Sequence, residues 1–577
     1  MAGTPYPQEQ YNRIAWTKLS DAQILAALRP AASVGPTGAV PPASIFAGKS
    51  FRIVTDDGPV LSYSFASVDQ LSVRENGGAA QSCGYRALKL DEITLLTHLL
   101  PGTARGYAVV IDNHARLATV FELWFGGYDD KREVMRAIYY GYVDQPGTSA
   151  PTGRHVTTNR MEGKAFHWTQ DNGIETLEFY PTAAYSHFVE LTRTGGELGF
   201  CGPSDYIRMS EEAYIYTRTE CEFSGIFTLY VVNLNRIEQI GFRLGFDKDD
   251  KLEYYMFRGV GEWLGQLAQF EKFGDVKGDV VPPEKPGKGA RRVYRPMKTW
   301  KTMTRAQVAE AARRPQVFEG ESQMAHNGEL PSDKLVGKAF TLRYDAGPVM
   351  EYRFDASDKL RWRREGGTNW ITARYRAWES APGVFIFGHL LEDEPNHDCH
   401  SVVIDLDHAL VTCFNGFLNT PYIANEAGAR TLFGVIEGEG LVPPKFRRHE
   451  RTDELLGRAL TWNYAPGLTS MHLYSTPRTV SWIIFTDANA GGMEWSGSGD
   501  FVKIRDQLYF AYWLEEACNG TLGTILINMR TMHDAGIGYH CDEERGLSLG
   551  PIGAHSRHAG KFDITRFYDI ETGRSRA

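Results

Sequence analysis

The chain has 577 residues and no Cys-x-x-Cys pair; its seven cysteines, Cys83, Cys201, Cys221, Cys399, Cys413, Cys518 and Cys541, are scattered and odd in number. That spacing excludes a zinc ribbon, argues against a disulfide framework, and predicts reduced thiols in a cytoplasmic protein. Basic clusters are equally scarce. The net charge is −9 with a pI near 6.0, and no Lys/Arg stripe stands ready to neutralise phosphates, so nucleic acid is not an expected partner. No apolar run is long enough to span a bilayer, and Met1-Ala2-Gly3-Thr4-Pro5 lacks a basic-then-apolar leader, so no membrane partner is expected either. A phosphate-binding glycine loop is missing: Gly259-Val260-Gly261-Glu262-Trp263-Leu264-Gly265 lacks the strand-then-helix context, and Trp263 and Leu264 read as part of an apolar, helix-like tail. No cofactor is expected.

Glycine and aromatic residues are abundant, with 59 Gly and 12% Phe, Trp and Tyr, a composition suited to twisted sheets with many turns. One strand-turn-strand pattern occurs four times. It opens at Gly48-Lys49-Ser50-Phe51, Gly163-Lys164-Ala165-Phe166, Gly337-Lys338-Ala339-Phe340 and Gly457-Arg458-Ala459-Leu460, and closes on Gly58, Gly173, Gly347 and Gly467. A fixed internal repeat decides architecture before any single residue does. The first and third copies also share Arg74-Glu75-Asn76-Gly77-Gly78 with Arg363-Arg364-Glu365-Gly366-Gly367, and His98-Leu99-Leu100 with His389-Leu390-Leu391. In the second and fourth, Glu220, Gly225 and Asn233 match Glu515, Gly520 and Asn528 at one constant spacing. Helical runs at residues 21–28 and 305–312 precede the two halves. A two-unit protein has been duplicated, and each half reads as an older duplication.

Within a unit, alternate residues share a face: Phe51, Ile53 and Thr55; Phe166, Trp168 and Gln170; Phe340, Leu342 and Tyr344; Leu460, Trp462 and Tyr464. Period two with one apolar face predicts half-buried antiparallel strands, and about a hundred residues of them per unit predict a small barrel that can hold one ligand. The expected fold is all-β: four tandem antiparallel barrels arranged as a duplicated two-barrel unit, with short helices between. The divisions are residues 1–44 as an N-terminal helix and extended lead, barrels at 45–145 and 157–275, and a linker with a short helix at 276–332. Barrels at 333–440 and 453–577 follow, the last with a C-terminal tail. Pro282-Pro283-Glu284-Lys285-Pro286-Gly287 marks the junction of the halves.

Tyr344-Asp345-Ala346-Gly347, Met350-Glu351-Tyr352-Arg353-Phe354 and Trp362-Arg363-Arg364-Glu365-Gly366-Gly367 resemble the opening strands of phenolic acid decarboxylases, which are lipocalin-like (calycin) barrels. Trp513-Leu514-Glu515-Glu516-Ala517-Cys518-Asn519-Gly520 resembles a later segment of that family. The two-unit arrangement and repeat length resemble the molybdenum-cofactor biosynthesis protein F family, whose two halves are both such barrels. The decarboxylase resemblance implies a carboxylate-holding Tyr pair and Arg with an assisting Glu in one barrel. Here those elements are divided. Tyr344 and Arg363 stand in the third unit, where Glu392 or His389 takes the Glu position, and Tyr464 and Glu515 stand in the fourth, where Trp462 replaces a Tyr. Arg74 and His98 stand in the first unit, Trp168 and Glu220 in the second. Simple 4-hydroxycinnamate decarboxylation is therefore not the expected reaction.

A carboxyl inside an apolar barrel has its charged form disfavoured, which moves its pKa toward the range of proton transfer. Glu220 and Glu515 are the candidates for that role, with a barrel-rim ion pair as the structural alternative. His98 and His389 are candidate acids or bases, or satisfied core histidines. Arg74 and Arg363 are candidate clamps for an anionic group, or turn-side ion pairs, and Tyr344, Tyr464, Trp462 and Trp168 are candidate pocket walls. His397-Asp398-Cys399-His400 is the one cluster resembling metal ligands, but alternation on a strand divides it between two faces, and no metal is expected. Two functions remain: a cofactor-free lyase or isomerase, decarboxylase-like or cyclase-like, acting on an aromatic or polyene molecule of secondary metabolism, or a non-catalytic carrier of such a molecule.

Overall fold

A computed structural model describes residues 18–126, 131–192, 196, 199–220, 225–268, 301–421, 423–485, 494–516, 520–569 and 572–577. The junction at 282–287, the extreme N-terminus, Cys221, Cys518 and residues 517–519 of the Trp513 segment lie outside the described residues. The fold is all-β, with four barrel or half-barrel sheets.

The first barrel closes from eight consecutive antiparallel strands, Ser50–Thr55 through Val134–Asp144, the first pairing the last through Ile53 and Val143. The third repeats that order from Ala339–Tyr344 to Gly428–Glu437. One strand, continuous at Gln81–Leu90 in the first barrel, is interrupted in the third at Tyr375, between Ile371–Arg374 and Arg376–Ala381. Both tyrosines that mark this bend, Tyr85 and Tyr375, donate to turn carbonyls, those of Ser67 and Ala356. In the fourth barrel the long strand Gly546–Lys561 pairs with both Arg458–Ala465 and His533–Asp542, which closes the ring. The second sheet curls from Gly199–Pro203 to Val156–Thr157 and stays open, with Thr217 N of strand Ala213–Thr219 donating at 3.1 Å to the carbonyl of Asp205, just beyond strand Gly199–Pro203. Residues 252–266 form one of its strands, with Trp263 opposite Phe166, so the helix-like tail expected there is instead a ladder strand.

The alternation of the sequence is realised inside the barrels: Ile53, Leu342, Tyr344, Leu460, Trp462, Phe166 and Trp168 all belong to interior clusters. Other strands, such as Ile93–Leu99, are buried on both faces. Their outer faces build shared cores. One joins the first two sheets under the helix Asp21–Val34, another joins the last two under the helix Arg305–Ala311, and a third joins the second sheet to the fourth. Both helices begin with capping boxes, Ser20 with Gln23 and Thr304 with Gln307, which is why two otherwise modest helical runs start where they do. Polar contacts repeat between halves as well. Arg154–Asp56 (2.6 Å) corresponds to Arg448–Asp345 (2.7 Å), and His155 on Thr119 to His449 on Thr412, both at 2.8 Å.

The N-terminal helix is seated against Gly84, where an added Cβ would meet the backbone of Val34 and Gly35 and lie 2.6 Å from the Ser33 carbonyl. Gly84→Val is therefore expected to unseat the helix and cost about 1–3 kcal/mol, read as a lowered thermal midpoint.

Candidate functional site

The second barrel gathers the densest set of reactive side chains. Strand Ala213–Thr219 points Tyr214, Tyr216 and Arg218 inward at period two, Glu175–Tyr180 adds Thr176, Glu178 and Tyr180, and Phe227–Asn233 adds Thr228 and Tyr230. The rings of Tyr216 and Tyr230 are stacked with centroids 4.2 Å apart, and Tyr180 meets Tyr216 edge-on at 5.0 Å. The hydroxyls of Tyr180, Tyr216 and Tyr230 are buried without a completed hydrogen bond among the described residues, as is Trp168 Nε1, although Tyr180 lies close to both Tyr216 and Trp168. A small opening of about 10 Å³, lined by Gln170, Thr176, Arg218, Thr228, Tyr230 and Phe257 among others, leads into this set.

Glu178 is fully buried. Its Oε1 accepts from Arg218 Nη1 at 2.5 Å, and its Oε2 has no hydrogen-bond partner among the described residues. Desolvation outweighs the attraction of Arg218 and pushes this carboxyl up to about 7. Burial likewise raises Tyr180, Tyr216 and Tyr230, so all three remain hydroxyl donors at neutral pH. Arg218 rests on the Phe188 ring, 3.7 Å from its centroid, and reaches on to Glu220 at 3.4 Å. Arg243 binds Glu220 through both carboxylate oxygens and holds Glu253 at 2.5 Å. The site is thus a buried carboxyl set between a guanidinium and three phenols, with a wholly ionic layer beside it. Glu220 lies in that ionic layer, held by two arginines, while the unpaired carboxylate oxygen belongs to Glu178.

The other sequence candidates are dispersed. Glu515 is partly buried at the end of the fourth barrel and accepts from Trp513 Nε1 at 3.1 Å. Trp462 and Tyr464 line that barrel's interior, with the Tyr464 hydroxyl 3.5 Å from His472 Nε2. Tyr344 is inside the third barrel beside Cys413. Arg74 is exposed and donates to the Gly78 carbonyl at 3.3 Å. Arg363 lies on the outer face, paired with Glu351 at 2.6 Å and set against Trp370. Neither arginine reaches a barrel interior, because period two places each on the face opposite its apolar neighbours.

His98 and His389 occupy equivalent places, each fully buried and accepting or sharing a proton with a tyrosine, Tyr63 at 3.0 Å and Tyr352 at 3.1 Å. Burial pushes them down to about 3 and about 4, so both are neutral at physiological pH. His389 Nδ1–H donates to the Leu390 carbonyl at 2.8 Å, which leaves Nε2 to accept from Tyr352, and His400 Nδ1 completes the group at 3.2 Å from the same hydroxyl. His400 faces the interior while Cys399 packs in the core shared with the fourth barrel, the division by alternation expected of the His397–His400 run. Tyr352→Phe is expected to cost about 1–3 kcal/mol in urea unfolding, because two buried histidine nitrogens lose their partner.

The missed residues carried a legible signal. Tyr214-Ile215-Tyr216-Thr217-Arg218-Thr219-Glu220 alternates like any strand, but aromatic and charged side chains share the inward face. A strand that sends its polar side chains into a barrel marks a site.

These features define a class: a chain of barrel and half-barrel β-sheets that enclose buried polar side chains, with a buried carboxyl–guanidinium pair in one of them. Residues 325–419 match the MoaF N-terminal domain and residues 449–561 match the MoaF C-terminal domain. The second half of the chain is thus MoaF-like, and the matched stretches hold most of the third and fourth barrels. No curated protein matches it.

Proposed function

We propose that the second barrel is the active site of a cofactor-free lyase or isomerase that acts on an aromatic or polyene small molecule. One observation carries this reading: Glu178 is fully buried with one oxygen on Arg218 and the other without a completed hydrogen bond, near Thr176 and in a barrel interior that holds Tyr180, Tyr216 and Tyr230. A carboxyl poised near neutrality both gives and takes a proton efficiently. In an isomerisation it would protonate one atom of the substrate and, as the carboxylate, remove a proton from another, with no net change of composition. In a decarboxylation the bond pair left on carbon by departing carbon dioxide would take the Glu178 proton. The stacked rings of Tyr216 and Tyr230 offer a flat wall for a conjugated substrate, and the hydroxyls offer donors for its oxygen atoms.

On this reading the barrels are lipocalin-like containers within a duplicated two-barrel unit, and duplication has freed the others for other uses. The five described cysteines are free and buried, which favours a cytoplasmic setting. Among the described residues no helix is long and apolar enough to cross a membrane.

The test is mass spectrometry of a metabolite extract before and after incubation with the full chain. A product lighter by carbon dioxide, or one of equal mass and altered retention, is the expected result. A compound retained unchanged on the protein would make it a carrier instead.

A further inference from the structure

Strand by strand, the fourth barrel corresponds to the second. Trp168 opposite Thr176 becomes Trp462 opposite Ser470, and Tyr180 becomes Tyr474. The charges do not survive the comparison. Glu178, opposite Phe166, becomes His472, opposite Leu460; Arg218, opposite Thr228, becomes Trp513, opposite Gly523. Arg243 becomes Gly538, and Gln239, opposite Val232, becomes Asp534, opposite Ile527. An ionic interior has given way to rings: His472 lies 5.0 Å from Trp513 and 5.8 Å from Trp462, and Tyr474 lies 5.2 Å from Phe501.

Polar atoms persist among these rings. Trp462 Nε1, Trp495 Nε1, the Tyr474 hydroxyl, His472 Nδ1 and Asp534 Oδ2 are buried and have no hydrogen-bond partner among the described residues. The other Asp534 oxygen accepts from Ala554 N at 2.6 Å. Buried polar atoms are ordinarily paired, so five unpaired in one interior call for an explanation, and a ligand that completes them is one. The neighbouring charged groups are engaged elsewhere: Lys503 is held by Glu454, which also takes the Tyr509 hydroxyl, and Glu515 takes Trp513 Nε1. Desolvation also keeps Asp534 protonated and His472 neutral at pH 7. This interior therefore offers hydrogen-bond donors without a cation, the reverse of the second barrel.

We propose that the fourth barrel is a second binding site, which takes an uncharged, planar aromatic molecule carrying a carbonyl or hydroxyl oxygen, hydrogen-bonded by Trp462, Trp495 and Tyr474 and flanked by the rings of His472 and Trp513. An anion is disfavoured because its lost hydration meets no positive partner. This site does not depend on the reaction assigned to the second barrel.

Benzamide and benzoate, equal in shape and different in charge, test it in ligand-observed NMR titrations of the full chain. Saturable binding of benzamide is expected, with benzoate at least about tenfold weaker. Tyr474→Phe and Trp495→Phe should each weaken benzamide binding about fivefold or more with an unchanged circular dichroism spectrum, while Tyr216→Phe in the second barrel leaves it unmoved. Should one variant fail to fold, the other still decides. Benzamide that fails to saturate, benzoate bound as well as benzamide, or a loss that follows Tyr216→Phe alone would overturn the proposal.

Discussion

Replacing Glu178 with Gln is expected to lower kcat at least about 100-fold with a smaller change in KM, because the amide keeps the shape and the acceptor for Arg218 but carries no transferable proton. The comparison with Glu220→Gln makes the test specific. Glu220 balances Arg218 and Arg243 at once, so its neutralisation leaves two buried cations with weakened partners. Its main effect should fall on stability, by about 3–5 kcal/mol if the arrangement cannot relax. Steady-state kinetics and urea unfolding of both variants separate the roles. The pH profile provides a further check. With Glu178 pushed up to about 7 and acting as the acid, activity should fall as pH rises through that value, and this limb should vanish in the Gln variant.

Asp534→Asn is expected to flatten the dependence of stability on pH. Burial without a compensating cation pushes Asp534 from 3.8 up to about 8. The native state therefore binds this proton more tightly than the unfolded chain does. Stability from this group is complete below the unfolded value and is lost as pH rises toward the native one. Between pH 4 and 8 the loss follows about 1.4 kcal/mol per unit, an upper bound of about 6 kcal/mol in all. Asparagine stays neutral throughout, so the variant should match the parent near pH 4 and exceed it by several kcal/mol at pH 8. Urea unfolding at the two pH values checks this, and parallel losses in both proteins would contradict it.

Much of the architecture was readable because repetition and period two are local signals. The four Gly-basic openings mark the four sheets, and the interior faces of Phe166-Trp168, Leu342-Tyr344 and Leu460-Trp462 follow from alternation alone. The helical runs at 21–28 and 305–312 were readable too, and the structure begins them on the capping boxes of Ser20 and Thr304. The bend at Tyr375 and the extension of strand 252–266 through Trp263 were not readable, since both depend on which sheet lies across the strand. The candidate site was legible only in part. Resemblance directed attention to Glu220, two positions beyond Arg218 on the same face, whereas the carboxylate oxygen left unpaired belongs to Glu178 on another strand. Which of two inward carboxylates is paired depends on cross-barrel geometry: Arg243 reaches Glu220 from a neighbouring strand, and no spacing in the sequence encodes that. Arg74 and Arg363 follow the opposite logic, because the turn beside them looked like a ligand clamp while strand parity turns them outward.

The central claim is that Glu178 holds a proton near neutral pH inside the second barrel. Isotope-edited infrared spectroscopy of chain labelled with carboxyl-13C glutamate, taken as a difference against Glu178→Gln, observes that proton directly. A protonated-carboxyl band for Glu178 is expected to persist at pH 6 and to disappear as pH is raised through about 7. A difference spectrum showing only carboxylate from pH 5 upward would make the Glu178–Arg218 pair a plain buried ion pair and contradict it.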